Sequence, residues 1–366
     1  MKHAWNSKFP IFATIVTGFL FLSAAAFAAG NPASPSAAAG ESAAAAAGPS
    51  GYHLLKSIPI PGSTPWDYLT YQDSTHRLFI AHGTHVVVVN TDTGKIVGNI
   101  GGMTHIHCVV FAPEFNRGFV TDGGAHKLWI FNLRTLKVIG SAPTDPDSDG
   151  AVYDPVSKRV FTFNGDPQSS TVVDARTGKV VGHIELGGDP EFPVADGRGH
   201  IYDNIAPLSQ IVEIDSHTMK ILHRWPVAPG QHPTGLAIDL EHHILFSGCR
   251  GLMVMMNADT GKVIATEPIG TGVDATRFDP ATGFAFASNG GSGDLTVIHE
   301  DSPVKFHVVE NVPTEAGART MALDRTTHRV FLVTAKLVRI AHPKPHTVRP
   351  FRIVPGTFHL LIFGRD

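Results

Sequence analysis

Short apolar runs separated by polar turns repeat along most of the chain. In one example the run His85–Asn90 is followed by a turn at residues 91–95 and by a second apolar run at residues 96–100. An Asp that opens the turn and a Gly within it are typical of tight β-hairpins, so the two runs predict adjacent antiparallel strands. The turn recurs every 41 to 43 residues, with an exposed lysine expected at Lys95, Lys137, Lys179, Lys220, Lys262 and Lys305.

A second apolar run, most often with a central aromatic residue, precedes each of these hairpins. Its seven copies cover residues 77–81, 117–121, 159–162, 201–203, 245–247, 284–287 and 329–333. A further apolar run comes before each copy, as at residues 108–111 and 320–323. Each unit therefore has four strands, named a to d from the centre outward. Such units predict an all-β fold, a seven-bladed β-propeller of four-stranded antiparallel blades with aromatic packing between blades.

The last unit lacks its own d strand, because the chain ends soon after a c strand expected at residues 358–363. Residues 52–58 precede the first a strand and have the alternating character of a d strand. We predict that this N-terminal strand completes the last blade, which would leave no open sheet edge in the ring. Residues 336–354, which are rich in basic residues and prolines, are expected to form an elaborated b–c loop.

The first residues have the pattern of a secretory signal. Lys2 and Lys8 precede an apolar stretch at residues 9–22, and Ala26-Phe27-Ala28 matches a signal-peptidase site. The apolar stretch is short for a membrane span, so a retained anchor is the weaker alternative. We predict a cleaved signal peptide at residues 1–28 and a flexible linker at residues 29–51, followed by the propeller domain at residues 52–366. The expected location is the periplasm or the medium.

Charge and cysteine content narrow the classes of partner. The formal net charge is -3 and the basic residues form no run, which disfavours nucleic acid. Cys108 and Cys249 fall on different sides of the expected ring, so we predict two buried thiols and no disulfide between them. No transmembrane segment is expected after signal cleavage, and we expect a monomer.

Four segments resemble a known family. Residues 119–122 and 286–289 are variants of the YVTN signature, and residues 174–179 and 257–262 carry the Asp-x-x-Thr-Gly-Lys type of hairpin. Residues 52–366 are similar to the YncE-like, or YVTN-repeat, β-propellers. The resemblance implies a seven-bladed fold and export. It transfers no catalytic residue, because members of the family differ widely in activity.

Alignment of the a strands defines a set of equivalent polar positions, the mouth ring, where these strands begin at one end of the central channel. The mouth ring consists of Asp67, His107, Asp149, Glu191, Thr234, Asp274 and Arg319. Because strands have a period of two, the residues two positions earlier lie on the same side. These are Pro65, His105, Asp147, Asp189, His232, Gly272 and Gly317. One interpretation is a site for a cation or a small polar molecule; the other is a solvated rim without a ligand.

Mixed imidazole and carboxylate ligands suit a divalent transition metal such as Zn, Mn, Fe or Cu. The candidate metal ligands are His105, His107, Asp149, Glu191 and His232. His82 and His85 flank a loop expected at the same end of the channel and are additional candidates. The other notable histidines, His242, His243, His299 and His328, are interpreted as surface-turn residues.

No nucleophile elbow, Walker motif or HExxH sequence occurs in the chain. The leading hypothesis is therefore an exported binding or interaction protein of the cell envelope. Its unknown partner, a small polar ligand or an envelope protein, would bind at the channel mouth. The alternative is an enzyme, either a metal-assisted hydrolase or lactonase or a quinoprotein-like oxidoreductase, that uses the carboxylates and histidines of the mouth ring.

Overall fold

The computed structural model describes residues 49–341 and 351–366. This part of the chain forms seven four-stranded antiparallel sheets arranged as the blades of a ring. The predicted seven-bladed β-propeller is confirmed. The expected signal peptide, almost all of the expected linker and part of the expected b–c loop lie outside the described residues.

Strands a and b form the inner half of each blade. The a strands of blades 1 to 7 are β2 (Leu69–Gln72), β6 (Ile106–Ala112), β10 (Ser148–Asp154), β14 (Pro190–Ala195), β18 (Leu236–Asp239), β22 (Val273–Asp279) and β26 (Met321–Asp324). The b strands are β3 (Arg77–His82), β7 (Arg117–Asp122), β11 (Arg159–Asn164), β15 (His200–Ile205), β19 (Ile244–Cys249), β23 (Phe284–Asn289) and β27 (Arg329–Thr334). Short 3-10 turns follow two a strands, at Asp73–Thr75 and Pro113–Phe115, and one b strand, at Ala206–Leu208.

Strands c and d form the outer half. The c strands are β4 (His85–Asn90), β8 (Lys127–Asn132), β12 (Ser169–Asp174), β16 (Gln210–Asp215), β20 (Leu252–Asn257), β24 (Asp294–Ser302) and β30 (His359–Gly364). The d strands of blades 1 to 6 are β5 (Lys95–Ile100), β9 (Val138–Pro143), β13 (Val180–Glu185), β17 (Lys220–Pro226), β21 (Val263–Pro268) and β25 (Lys305–Pro313).

Blade 7 combines strands from both ends of the described chain. Strand β1 (His53–Pro59) pairs antiparallel with β30, and the sheet order is β1-β30-β27-β26. The pairing joins His53 to Gly364 and Pro59 to His359, with a bulge near Leu54. The b–c connection of this blade carries a small hairpin of β28 (Leu337–Arg339) and β29 (Phe351–Ile353).

Aromatic side chains hold neighbouring blades together, as predicted. The central aromatic residues of the b strands are all buried: Phe79, Phe119, Phe161, Tyr202, Phe246, Phe286 and Phe331. The Phe79 ring contacts Phe111 of the next blade at a centroid distance of 4.8 Å, and Phe246 contacts Phe278 at 4.9 Å. The apolar clusters of the core therefore lie between blades, where burial of apolar surface favours folding.

The c–d turns have the chemistry that the repeat predicts. In blade 1 the Asn90 side chain accepts a hydrogen bond from the Thr93 amide, and Gly94 adopts a φ of 70°. Glycine tolerates this left-handed conformation without a steric penalty. The six repeated lysines, which include Lys95, are exposed at or beside the outer strands.

Two further predictions concern single residue types. Cys108 and Cys249 are buried free thiols, as expected. Among the described residues, no helix has the length and apolar character needed to cross a membrane.

Candidate functional site

A pocket of about 330 Å³ lies at the end of the channel where the a strands begin. Six of the seven residues of the mouth ring line this channel-mouth pocket: Asp67, His107, Asp149, Glu191, Asp274 and Arg319. They converge because each blade places the start of its a strand at the same end of the channel. The volume falls within the range of small-molecule sites.

His107 lies between two carboxylates of this pocket. Its Nδ1 atom is 2.8 Å from Oδ2 of Asp67 and 3.2 Å from Oδ1 of Asp149. His107 belongs to blade 2, and the two aspartates belong to blades 1 and 3, so the contact connects three blades. The ligand atoms of the three residues lie within 4.8 Å of one another, close enough to hold a metal ion.

Arg319 supplies the positive charge on the other side of the pocket. Its guanidinium forms an ion pair with Asp274 and donates a hydrogen bond of 2.9 Å to the Trp66 carbonyl. A second carboxylate, that of Asp67, lies 3.4 Å from the same guanidinium. The Asp67 carboxylate thus lies close to two cationic side chains, Arg319 and His107.

Acidic groups outnumber basic ones in this pocket, because four carboxyl groups face one guanidinium and the two imidazoles of His105 and His107. Burial, followed by the charge of Asp149, raises the pKa of Glu191 to about 8. Burial also raises the pKa of Asp149 to about 7, and the charges of Asp67 and Asp147 add to this rise. These two carboxyl groups therefore retain protons near neutral pH that isolated carboxyl groups would release.

The His107 imidazole responds in the opposite sense to its burial. Burial alone would lower the pKa of His107, but the hydrogen bond to Asp67 and the charge of Asp149 raise it to about 9. The histidine is therefore protonated near neutral pH and partly balances the carboxylates. Its Nε2 atom is buried and has no hydrogen-bond partner within the described ranges.

Two aromatic rings that line the pocket contact each other across the channel. Tyr68 and Phe192 lie with ring centroids 4.9 Å apart, and the guanidinium of Arg277 lies 4.6 Å from the centre of the Phe192 ring. A separate cavity of about 210 Å³ is lined by Arg277 and Arg325, and also by Asp73.

The remaining sequence candidates fall into two groups. His105 lines the pocket beside His107, with ring centroids 4.4 Å apart. Thr234 and His232 do not line it; the Thr234 hydroxyl donates a hydrogen bond to the Val273 carbonyl instead. Asp147 is exposed and does not line the pocket either.

The compact group of possible metal ligands differs from the predicted set. It contains His107 and Asp149, as predicted, and also Asp67, which we had placed in the mouth ring but not among the metal ligands. Glu191 lines the pocket but does not belong to the compact group. The sequence alignment could have identified Asp67 as a metal ligand, since Asp67 of blade 1 occupies the mouth-ring position equivalent to that of His107 in the neighbouring blade.

His82 and His85 do not line the pocket. The His82 ring is fully buried and stacks on Phe358 at a centroid distance of 4.2 Å. Burial lowers its pKa to about 4, so the ring is neutral and packs as part of the core.

We expect the stability of the empty protein to fall as the pH rises from about 6 to about 9. His107 has a folded-state pKa above its ordinary 6.5, so its stabilising charge is lost as the pH passes through about 9. Asp149 and Glu191 also have raised pKa values, so the folded protein still holds protons that the unfolded chain has released. Their loss lowers the stability of the folded state as the pH rises, and this decrease is complete by about pH 8. Thermal melts across this range test the prediction. Glu191→Gln should flatten the dependence, and a melting temperature that rises with pH would contradict it.

No protein-family model matches the chain, and no curated protein matches it. Solved structures do. The RRP9 WD40 repeats are 10% identical, with a TM-score of 0.70 over 88% of this chain and all of that one. The fold is that of a WD40-type β-propeller. A chain of the mitotic checkpoint complex is 12% identical, with a TM-score of 0.68 over 85% of this chain and 96% of that one.

A third similar structure is hydrazine synthase from Kuenenia stuttgartiensis, at 12% identity and a TM-score of 0.66 over 75% of this chain and 94% of that one. Likeness at these identities concerns the fold alone, because one propeller fold supports unrelated functions. The resemblance to YncE-like propellers stays a prediction.

Proposed function

We propose that this chain is an exported β-propeller protein of the cell envelope that binds a small, positively charged ligand at its channel mouth. The observation that carries the proposal is the excess of carboxylates in a pocket of about 330 Å³. Four carboxyl groups converge there, against three basic side chains among the residues that line the pocket, Arg319, His107 and His105. The signal sequence expected at residues 1–28 supports export.

Proton exchange couples such a ligand to the pocket. When the pocket is empty, raised pKa values leave Asp149 and Glu191 partly protonated near neutral pH. A cation that binds beside them favours their charged forms and so releases protons to solvent. The affinity for the cation should therefore increase as the pH rises through about 7 to 8.

The β-propeller is also typical of protein-interaction scaffolds. The mitotic checkpoint complex shows a propeller of similar fold within a protein assembly. In this chain the loops around the pocket come from several blades, so an envelope protein that presents a lysine or arginine side chain is a ligand of the same chemistry. The carboxylates would then recognise the inserted cationic group, and the surrounding loops would contact the rest of the partner.

Isothermal titration calorimetry with Mn²⁺ and with the diamine putrescine tests the proposal. We expect the double variant Asp149→Asn/Glu191→Gln to bind the preferred probe at least about tenfold more weakly, since it removes two of the four carboxylates from a partly enclosed site. The matched control is Asp92→Asn/Asp259→Asn, which removes two exposed carboxylates elsewhere. Equal affinity in the two double variants, or no binding by the wild-type protein, would contradict the proposal.

A second candidate function is metal-assisted hydrolysis. It is favoured by the contact of His107 with Asp67 and Asp149, because these atoms could hold a metal ion beside Glu191. A carboxyl group with a pKa of about 8 is suited to proton transfer near neutral pH. Turnover of a chromogenic lactone by the Zn²⁺-loaded protein, lost in His107→Ala, would favour this candidate over simple binding.

A further inference from the structure

A second group of metal-ligating side chains lies at the opposite end of the blades from the channel-mouth pocket. Asp239 is the last residue of strand β18 in blade 5, and His242 lies in the turn that follows. Glu300 lies on strand β24 of blade 6. The ligand atoms of these three residues lie within 4.8 Å of one another. The group therefore brings side chains of two neighbouring blades to one point.

Both carboxylates of this group are buried. The Asp239 side chain is 2% exposed and the Glu300 side chain 3% exposed, whereas the His242 side chain is 40% exposed. The Oε2 atom of Glu300 has no hydrogen-bond partner within the described part of the chain. Burial of a polar atom without a partner is unfavourable and calls for a ligand or a proton.

Asp239 accepts hydrogen bonds from the backbone amides of Glu241 and His242, so the shortage of donors falls on Glu300. The His242 Nδ1 atom is 2.7 Å from Oδ2 of Asp239 and 2.8 Å from Oε1 of Glu300. This nitrogen carries at most one hydrogen, so it can donate one full hydrogen bond at a time. A divalent cation can bond to all three side chains at once.

We propose that Asp239, His242 and Glu300 bind a divalent transition-metal ion such as Zn²⁺ between blades 5 and 6. One imidazole nitrogen and two carboxylate oxygens form a ligand set that zinc and related metals accept, with a water molecule in the fourth position. Tetrahedral ligands about 2.1 Å from a metal lie roughly 3.4 Å apart, so the His242 Nδ1 atom needs to move less than about an ångström further from each carboxylate oxygen. The exposed edge of His242 provides access from solvent.

The bound metal would connect two neighbouring blades. Asp239 belongs to the inner edge of blade 5 and Glu300 to the third strand of blade 6, so bonds to one ion cross the blade interface. An ion that binds the folded state and not the unfolded chain stabilises the fold by mass action. The site is therefore expected to be structural, and it is independent of the function proposed for the channel mouth.

Titration of the metal-free protein with Co²⁺, followed by visible absorption and by thermal melting, tests the proposal. The titration uses the full chain with Asp149→Asn/Glu191→Gln as the background, so that the channel-mouth pocket contributes little. We expect this background to bind Co²⁺ with a visible ligand-field band and a rise in melting temperature. Adding Glu300→Gln, which keeps the shape of the side chain, should weaken Co²⁺ binding by about tenfold or more.

A neighbouring group provides the matched control. His299, Asp301 and His307 also lie within 4.8 Å of one another, on strands β24 and β25. His307→Ala in the same background should leave Co²⁺ binding unchanged. His242→Ala is a second test, because its half-exposed ring can be removed with little loss of core packing. Absence of Co²⁺ binding in the background, or retention of binding in both Glu300→Gln and His242→Ala, would overturn the proposal.

Discussion

Replacing Arg319 with alanine is expected to lower the free energy of unfolding of the empty protein by about 3 kcal/mol near pH 8. The guanidinium is only 18% exposed, and it is paired with Asp274, close to Asp67 and bonded to the Trp66 carbonyl. Its removal leaves partly buried carboxylates that repel one another. Urea denaturation at fixed pH and ionic strength measures the change.

Arg325→Ala is the matched control for this variant. Arg325 also belongs to blade 7, but it lies beyond the opposite end of strand β26, is exposed and lines the separate cavity of about 210 Å³. We expect its replacement to change the free energy of unfolding by about 0.5 kcal/mol or less. If the channel mouth binds cations, Mn²⁺ should stabilise Arg319→Ala more than the wild-type protein, because the ion can replace the lost charge. Equal losses in the two arginine variants would contradict the prediction.

Replacing Phe331 with alanine is expected to have the largest effect on stability, a loss of about 4 kcal/mol. The Phe331 ring is fully buried between blades 7 and 1, and its centroid lies 5.4 Å from that of the Tyr71 ring. Truncation removes most of the apolar surface that this side chain buries and leaves a cavity that the rigid strands β27 and β2 cannot close. Chemical denaturation of the variant and the wild-type protein measures the difference.

Val304→Ala serves as the control, because the Val304 side chain is 74% exposed in the turn between β24 and β25. Its replacement should change stability by no more than about 0.5 kcal/mol. Phe331→Leu should lie between the two, since leucine refills part of the space. If Phe331→Ala loses no more stability than Val304→Ala, the blades are not held together by these aromatic residues.

The fold could be predicted from sequence because one short pattern repeats. Five c–d turns open with an Asn or Asp side chain that accepts a backbone hydrogen bond, as Asn90 does, and each b strand places a large apolar ring between two blades. Repetition of these local requirements leaves one arrangement that buries every aromatic ring. The hairpin formed by β28 and β29 was not predicted, because no repeat unit contains an equivalent.

The candidate site could be predicted only as a set of positions. Alignment placed Asp67, His107 and Asp149 in one ring because equivalent strands begin at one end of the channel. It could not show which side chains reach the pocket: the short Thr234 side chain bonds to a backbone carbonyl, and the His232 backbone adopts a φ of 53°. Such outcomes depend on rotamers and local backbone conformation, which the repeat does not encode.

The group between blades 5 and 6 was missed for a related reason. His242 was interpreted as a surface-turn residue, and its exposed edge agrees with that view. Its partner Glu300 lies far along the sequence on a different strand type, so no aligned position connects the two. A contact between non-equivalent positions of adjacent repeats leaves no periodic signal.

The rings of Tyr68, in blade 1, and Phe192, in blade 4, meet across the channel with their centroids 4.9 Å apart, which leaves no room for a ligand to pass between them. A ligand that enters the pocket through the channel mouth is expected to leave through the same opening, so a second ligand can bind only after the first has left. Competition at this opening should therefore be mutually exclusive, and a bulky partner that covers the rim would trap whatever is inside. The release rate of a bound ligand would then report directly on whether the rim is covered.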